Sequence, residues 1–372
     1  MTMFYAMEGG GVRTYLAAKA HWLAHRPQIR HSLVASALAS PNDTGFVAVP
    51  SAPLASANGY RIPLSISATA RTVRALHPSL IEVGDPYQFA WAAARVKRSA
   101  NVPLVAFYHS DVATVMGRRF GSLAHWAAVH YLRTVYRRFD LVMAPSRLMA
   151  DRLRSAGVER VVHQPLGVDT TLFAPVYRNA QLRVQLGLPA ATRLLVYAGR
   201  FTQEKNLPLL IDALHRLGPP YHLLLIGSGD AIAPSPQISR IAFQPDSRRL
   251  ASWIGGCDLL VHPGDQETFG LVVLEAMACG IPVLGVAAGG VAELVDDSNG
   301  MLVVPGSSAA MAHGIGELFT RDLAQLGRQA REMVCRRYDW NLIVPQILGQ
   351  YGRLFASRQR ADLEARLAYA CR

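Results

Sequence analysis

His262-Pro-Gly-Asp-Gln-Glu267-Thr-Phe-Gly270-Leu-Val-Val-Leu-Glu275-Ala-Met-Ala-Cys-Gly280-Ile-Pro282 is the stretch on which the reading turns. The apolar run Leu259–His262 ahead of it reads as a buried strand, and Leu271–Cys279 inside it reads as a short helix. Two carboxylates, Glu267 and Glu275, stand eight residues apart across a Phe-Gly break. If the helix begins near Gly270, that separation is at most about 12 Å at ~1.5 Å per residue. This is roughly the reach from a hexose, across a pyrophosphate, to a ribose. Glu267 could accept hydrogen bonds from sugar hydroxyls, and Glu275 from both ribose hydroxyls. Backbone N–H groups at Phe269, Gly270 and Leu271 would open the helix, where phosphate is favoured. The pair alone looks more like an ordinary loop acid and a solvated helix acid. The apolar neighbours of Glu275 (Leu274, Ala276, Met277, Ala278) weigh against that, because a stray charge there is costly.

Working outward, strands and helices alternate along the chain. Strands are expected at Ser32–Ser36, Leu80–Val83, Leu104–Tyr108 and Leu141–Ala144, then Arg193–Ala198, His222–Ile226, Leu259–His262, Val283–Val286 and Gly300–Val303. Helices are expected at Val12–Ala24, Ile66–Ala75, Gln88–Ser99 and Arg147–Ser155, then Leu207–Arg216, Arg248–Ile254, Leu271–Cys279 and Ala309–Leu318. Such alternation argues for two doubly wound α/β sheets. Pro41–Tyr60, rich in Ser, Pro and Ala, reads as a loop with a short strand. The boundary falls in Gln164–Pro175, framed by two prolines and a glycine. The expected domains are 1–165, 166–345 and a terminal helix, 346–372, packing back on the first.

The chain has 372 residues, 51% hydrophobic and 17% charged, which is globular composition and fits two domains better than one. The formal charge of +12 suggests an anionic partner. No zinc-finger spacing, RNP-like aromatic run or basic heptad is present, which argues against nucleic acid. Four widely spaced cysteines, Cys257, Cys279, Cys335 and Cys371, form no metal pattern and fit a reduced, cytoplasmic chain. Residues 1–11 lack a basic n-region, so no leader is expected. The charge-free run Ala276–Ala292 is broken by Pro282 and four glycines and is not a membrane span.

Lys19, Lys97 and Lys205 are the only lysines, so arginine carries nearly all the basic charge. Arg200 and Lys205 follow a strand end and a glycine turn. Arg200 can fork onto phosphate oxygens and Lys205 supplies a point charge, so together they could neutralise a diphosphate leaving group. Cations at a helix start are otherwise unfavourable. Glu8-Gly9-Gly10-Gly11 opens a helix after a short apolar run, a turn that suits close backbone approach but does not match G-x-G-x-x-G. His109 stands just past a strand, equally consistent with a structural role and a ligand contact. Gly227-Ser-Gly229-Asp230 is a plain turn or a ligand-facing one. Arg118, Arg119, Arg133, Arg137 and Arg138, near Trp126, Tyr131, Leu132 and Tyr136, form either a solvated basic surface or a face for an anionic membrane.

These motifs together resemble glycosyltransferase family 4. The resemblance rests on Gly199-Arg200-x4-Lys205-Asn206, Gly227-x-Gly229, Glu267-x7-Glu275 with Phe-Gly-Leu, and Ala278-Cys-Gly-Ile-Pro-Val283 followed by Gly289-Gly-Val-x-Glu293-Leu. The linker Leu166-Gly-Val-Asp169-x3-Phe173-x-Pro175, the terminal Tyr338-x-Trp340, and Gly10-Gly11-Val12 with His109 extend it over nearly the whole chain. Leu166 departs from the asparagine common in the family. Tyr108-His-Ser-Asp111 is similar to the GDP-mannose-dependent α-mannosyltransferases among them.

The resemblance implies a GT-B fold, two Rossmann-like domains flanking a cleft. It also implies retaining transfer of a hexose from a nucleotide-sugar to a lipid or glycan hydroxyl, with no metal or cofactor required. By the same resemblance Arg200 and Lys205 hold the diphosphate, Glu275 the ribose, and Glu267 with Phe269 and Gly270 the sugar. Gly10 and Gly11 pass close to the phosphates, His109 contacts the donor sugar, and Arg13 and Asp111 lie toward the acceptor. A cytoplasmic enzyme, peripheral on the inner face of the cell membrane, would fit. An epimerase or phosphorylase of the same architecture, a hydrolase using the two carboxylates, and a non-catalytic membrane-associated scaffold are the competing readings. Hydrolase carboxylates stand about 5–5.5 Å apart when the mechanism retains, closer than the helix geometry suggests.

Overall fold

Long apolar strands that are buried on both faces set the architecture. A computed structural model of the chain describes residues 1–5, 10–36, 45–54 and 60–370, the last ten by backbone only. It divides into two compact units, Met1–Pro165 with Asn341–Arg372, and Leu166–Trp340. The chain thus returns to the first unit at Asn341, where the sequence suggested 346.

The first unit runs α1 (Gly11–Ala24), β1 (Leu33–Ala35), β2 (Phe46–Ala48), β3 (Ser51–Pro53), β4 (Arg61–Pro63), α2 (Ile66–Ala75), β5 (Ile81–Val83) and α3 (Gln88–Ala100). It continues through β6 (Leu104–Phe107), α4 (Val112–Phe120), α5 (Ser122–Tyr136), β7 (Leu141–Ala144), α6 (Arg147–Ser155) and β8 (Val161–His163). Strands β5 to β8 form a parallel sheet in chain order, and β1 and β2 form a parallel pair. Residues at the start of the chain join the two: Thr2 bridges Ala35, and the Gly84 amide donates to the Met1 carbonyl. Strands β6 and β7 are buried at every position, which is why they read as unbroken apolar runs. Ser65 and Ser146 cap α2 and α6 by accepting the Ala68 and Met149 amides.

The second unit contains α7 (Leu182–Gln185), β9 (Arg193–Ala198), α8 (Leu207–Leu217), β10 (Tyr221–Ile226), β11 (Ile238–Ile241) and α9 (Ser247–Gly255). These are followed by β12 (Leu259–His262), α10 (Leu271–Ala278), β13 (Val283–Val286), β14 (Gly300–Val303), α11 (Ser308–Leu318) and α12 (Leu323–Arg337). Its six parallel strands lie in the order β11-β10-β9-β12-β13-β14. This is the Rossmann order, and its direction reverses between β9 and β12. Ligands of open α/β sheets bind beyond the carboxyl ends of the strands at such a reversal. Arg200 follows β9 and Glu267 follows β12, so the fold delivers both to that point.

The last helix, α13 (Trp340–Ala370), belongs to the first unit from Asn341 onward. Ile343, Val344 and Ile347 are fully buried. Tyr351 bonds both Glu82 and Lys19, whose own ion pair is 2.9 Å long and almost dry. Burial opposes the Glu82 charge, but Lys19 and Tyr351 outweigh it and hold the acid at about 2.

The described part of Pro41–Tyr60 holds two strands, β2 and β3, where one was expected. The sequence reading placed no helix between β6 and β7, where α4 and α5 stand. It also grouped Tyr131, Leu132 and Tyr136 with a basic surface. Leu132 and Tyr136 are core residues, and the Tyr131 hydroxyl donates inward to the Pro86 carbonyl at 2.7 Å. No helix among the described residues is long and apolar enough to cross a membrane.

Candidate active site

In the second unit, β9 and β10 end in turns that are stitched together. The Phe201 amide donates to the Ser228 carbonyl at 2.8 Å, and the Asp230 amide to the Phe201 carbonyl at 2.6 Å. A Cβ on Gly229 would lie 2.3 Å from the Phe201 carbonyl oxygen, and φ there is +138°. Backbone packing therefore demands that glycine, whatever its exposed side meets. The turn leaves the Arg200 side chain about half exposed, 3.8 Å from Glu204. Its carbonyl is fixed by the Tyr197 hydroxyl at 2.8 Å.

Lys205 and Glu267 are brought together: the ammonium donates directly to a Glu267 carboxylate oxygen, with both side chains largely buried. His262, at the end of β12 and 2% exposed, sets its Nε2 3.5 Å from the same oxygen. Burial alone would raise the Glu267 acid. Lys205 and His262 more than reverse this and hold it ionised, well below the usual carboxylate range. Arg200 does not join this cluster among the described contacts.

Eight residues on, Glu275 is half-buried in α10, and its carboxylate has no hydrogen bond or ion pair among the described residues. Burial pushes its carboxyl up to about 7. An acceptor in that state gains most from hydroxyl donors brought by a ligand. Gly270, at φ +102°, begins α10 without a side-chain cap, so first-turn N–H groups stay open toward the same end. The Phe269 ring is buried 6.0 Å from Tyr338, which leaves the backbone of Phe269 as its only candidate for ligand contact.

In the first unit, α1 starts at Gly11 with Gly10 as its uncapped N-terminal flank; Glu8 and Gly9 lie outside the described residues. A Cβ on Gly10 would meet nothing within 4 Å among the described residues. Half-buried Arg13 lies 5.8 Å from the Tyr5 ring centroid. The His109 ring stacks on Phe107 at 4.6 Å and leans on Tyr15 at 5.4 Å. Burial lowers its pKa to about 4; Glu82 opposes this to a smaller extent and Lys19 adds to it. The imidazole is therefore neutral at neutral pH, able to hydrogen-bond but not to act as a cation.

Asp111, expected on the acceptor side, is tied into the first unit by its own contacts. Its carboxylate caps α4 through the Thr114 amide at 3.3 Å, accepts the Tyr108 hydroxyl at 3.2 Å and pairs with Arg152. It is 8% exposed and its oxygens are committed to folding.

Two contributors escaped the sequence reading. His262 entered it only as a strand end, although its spacing from Glu267 was visible. Gly289 and Gly290, quoted only as part of a motif, press on the Glu267 loop: the Gly290 amide donates to the Glu267 carbonyl at 2.6 Å. A Cβ at Gly290 would sit 2.5 Å from the Thr268 carbonyl oxygen and 2.6 Å from Phe269 Cα. Gly290→Ala is expected to cost about 1–3 kcal/mol in thermal unfolding and to weaken donor binding as Glu267 shifts. Gly10→Ala should leave unfolding unchanged and alter only donor kinetics. An unchanged melting curve for Gly290→Ala would contradict the packing account.

Comparison with known proteins places the chain in a family. The family model described as Glycosyltransferase Family 4 matches residues 9–172, and that described as Glycosyl transferases group 1 matches 179–333. A GDP-mannose-dependent alpha-mannosyltransferase of Mycobacterium tuberculosis is 30% identical over 76% of this chain and 74% of its own. One from Corynebacterium glutamicum is 27% identical over 86% and 78%. Among solved structures, sucrose-phosphate synthase from Thermosynechococcus elongatus superposes with TM-score 0.79 at 24% identity, covering 94% of each chain. Anabaena HepE in complex with UDP-glucose gives 0.75 at 23%, covering 94% of this chain and 97% of its own. The two Rossmann-like units and these likenesses identify the GT-B fold. The chain belongs to glycosyltransferase family 4 and is a glycosyltransferase.

Proposed function

We propose that the enzyme transfers a hexose, mannose by preference, from a nucleoside diphosphate sugar to a hydroxyl of a lipid or glycan, with retention at the anomeric carbon. The observation that carries this reading is the Lys205–Glu267–His262 cluster at the β9/β12 reversal, with the Glu275 carboxylate, in the helix that follows, without a partner among the described residues. Glu267, kept ionised by Lys205, accepts hydrogen bonds from sugar hydroxyls. Glu275 accepts both ribose hydroxyls, and the start of α10 with Arg200 and Lys205 takes the diphosphate. As the anomeric C–O bond breaks, negative charge grows on the diphosphate, and these cations stabilise it where a divalent metal would otherwise act. The acceptor oxygen bonds to the anomeric carbon on the same face and gives its proton to a phosphate oxygen of the leaving group. In the first unit, the family resemblance assigns Gly10 and Gly11 to the phosphates, neutral His109 to the donor sugar, and Arg13 to the acceptor. GDP and mannose are favoured by the names of the mycobacterial and corynebacterial relatives, whereas HepE binds UDP-glucose.

A panel of GDP- and UDP-sugars, with membrane-lipid and glycan acceptors, tests this by product mass and anomeric NMR coupling. An α-linked mannosyl product from GDP-mannose is expected. Turnover confined to UDP-sugars would reject the mannose assignment, and a β-linked product would reject retention.

A further inference from the structure

We infer that the α4–α5 hairpin docks this enzyme onto an anionic lipid surface. The inference does not depend on the donor site and can fail without it.

Between Asp111 and Asp140 the chain has five arginines and no acidic residue. The same segment carries four of the large apolar side chains most exposed in the protein: Val115 at 50%, Phe120 at 60%, Leu123 at 76% and Trp126 at 60%. They lie together because α4 and α5 fold back on each other. The His125 ring bonds the Ala113 carbonyl at 3.0 Å, and a Cβ on Gly117 would strike His125. Phe120 and Leu123 flank Gly121 at the tip, where φ of +86° makes the turn.

At 3.6 residues per turn, Leu123, Trp126, His130, Arg133 and Arg137 share one face of α5. Buried Ala128, Leu132, Val135 and Tyr136 take the opposite face. The outward face thus passes from apolar at the tip to basic at the far end, with Arg118 and Arg119 exposed beside the tip. Arg138, counted with this surface in the sequence reading, instead lies 4.5 Å from the Trp91 ring centroid and is not part of it.

Burying exposed aromatic and aliphatic tips in the interfacial layer while arginines meet anionic headgroups is how a surface-lying helix binds a bilayer. A second copy is a poorer occupant, because a two-fold interface on this patch would set arginine against arginine. Nucleic acid would leave the aliphatic tip without a partner.

The test is co-sedimentation of the full chain, without donor, with phosphatidylcholine vesicles with and without phosphatidylglycerol. Binding to the anionic vesicles alone is expected, reversed by high salt. Each arginine near such a surface contributes about fivefold, so Arg118→Gln/Arg119→Gln should lower partitioning about twenty-five-fold. Phe120→Ser/Leu123→Ser should also release the protein, with unchanged melting because both side chains are exposed. Arg336→Gln/Arg337→Gln, an exposed pair in the other unit, should change little. The inference is overturned if wild type ignores anionic vesicles, or if the control pair matters as much as Arg118 and Arg119. It is also overturned if light scattering shows a dimer that Phe120→Ser/Leu123→Ser dissolves, since the patch would then serve self-association.

Discussion

Lys205→Ala is expected to lower kcat about 10²–10³-fold, the loss that follows removal of one preorganised group stabilising transition-state charge. The structure adds a second consequence, because Lys205 is also the main partner of Glu267. Without it, a largely buried carboxylate keeps, among the described residues, only His262, 3.5 Å away. Breaking a fully buried pair costs about 3–5 kcal/mol. Here both side chains retain roughly a fifth of their exposure, so about 1–3 kcal/mol is the better expectation. The sign with pH is fixed by the depressed Glu267 pKa. The pair stabilises above the ordinary carboxylate range and ceases to do so as pH falls and Glu267 is protonated. Lys205→Ala should therefore melt lower than wild type at neutral pH and converge with it in acid. Lys205→Ala/Glu267→Ala separates the two roles: stability should return and transfer should not. A Lys205→Ala enzyme whose kcat stays within a few-fold of wild type would remove Lys205 from the leaving-group role.

The residues that build the central strands were legible because burial on both faces leaves a contiguous apolar signature. Leu259–His262 and Val283–Val286 needed nothing more. β8 and β11 were missed for the opposite reason. They are edge strands without a fully buried position, and β11 carries Ser239 and Arg240 in a run too polar to read as buried. α5 was overlooked because its segment was read for charge. Its periodicity contains both a core face and an exposed apolar stripe, which blurs the contrast between faces.

At the site, Glu267, Glu275, Arg200 and Lys205 could be read from local spacing. Pairings between distant segments could not. The contact of Lys205 with Glu267 spans 62 residues of sequence, and Gly290 holds the Glu267 loop through backbone packing that no side-chain chemistry announces. Asp111 shows a different limit: an aspartate after a strand suits a ligand contact and a helix cap equally, and the cap itself is seen only from the positions of Thr114 and Arg152.

Glu275→Gln is expected to make the donor-free enzyme more stable and worse at binding donor, a combination that a purely structural glutamate would not produce. Burial raises the Glu275 pKa from 4.5 to about 7, so between those values the folded state holds a proton that the unfolded state has lost. Stability from this group is therefore greatest in acid, falls as pH rises through that window, and is flat above it. At pH above 7 the ionised carboxylate costs about 3 kcal/mol in the second unit. Glutamine keeps the shape and removes the charge, so its advantage should approach that value above pH 7 and vanish near pH 4. Donor binding runs the other way. Two hydroxyls donating to a carboxylate form charge-assisted bonds of about 1.5–3 kcal/mol each, and an amide oxygen makes only ordinary ones. The donor KM should rise about 10–100-fold, with kcat changed far less because the ribose lies away from the breaking bond. Urea unfolding at pH 5 and pH 8, with donor kinetics on the same preparations, reads both effects. If Glu275→Gln and wild type unfold in parallel at the two pH values while KM rises, the ribose role stands and the burial account of its pKa does not. If stability shifts as expected but KM is unchanged, Glu275 is a strained core acid and the ribose must be held elsewhere.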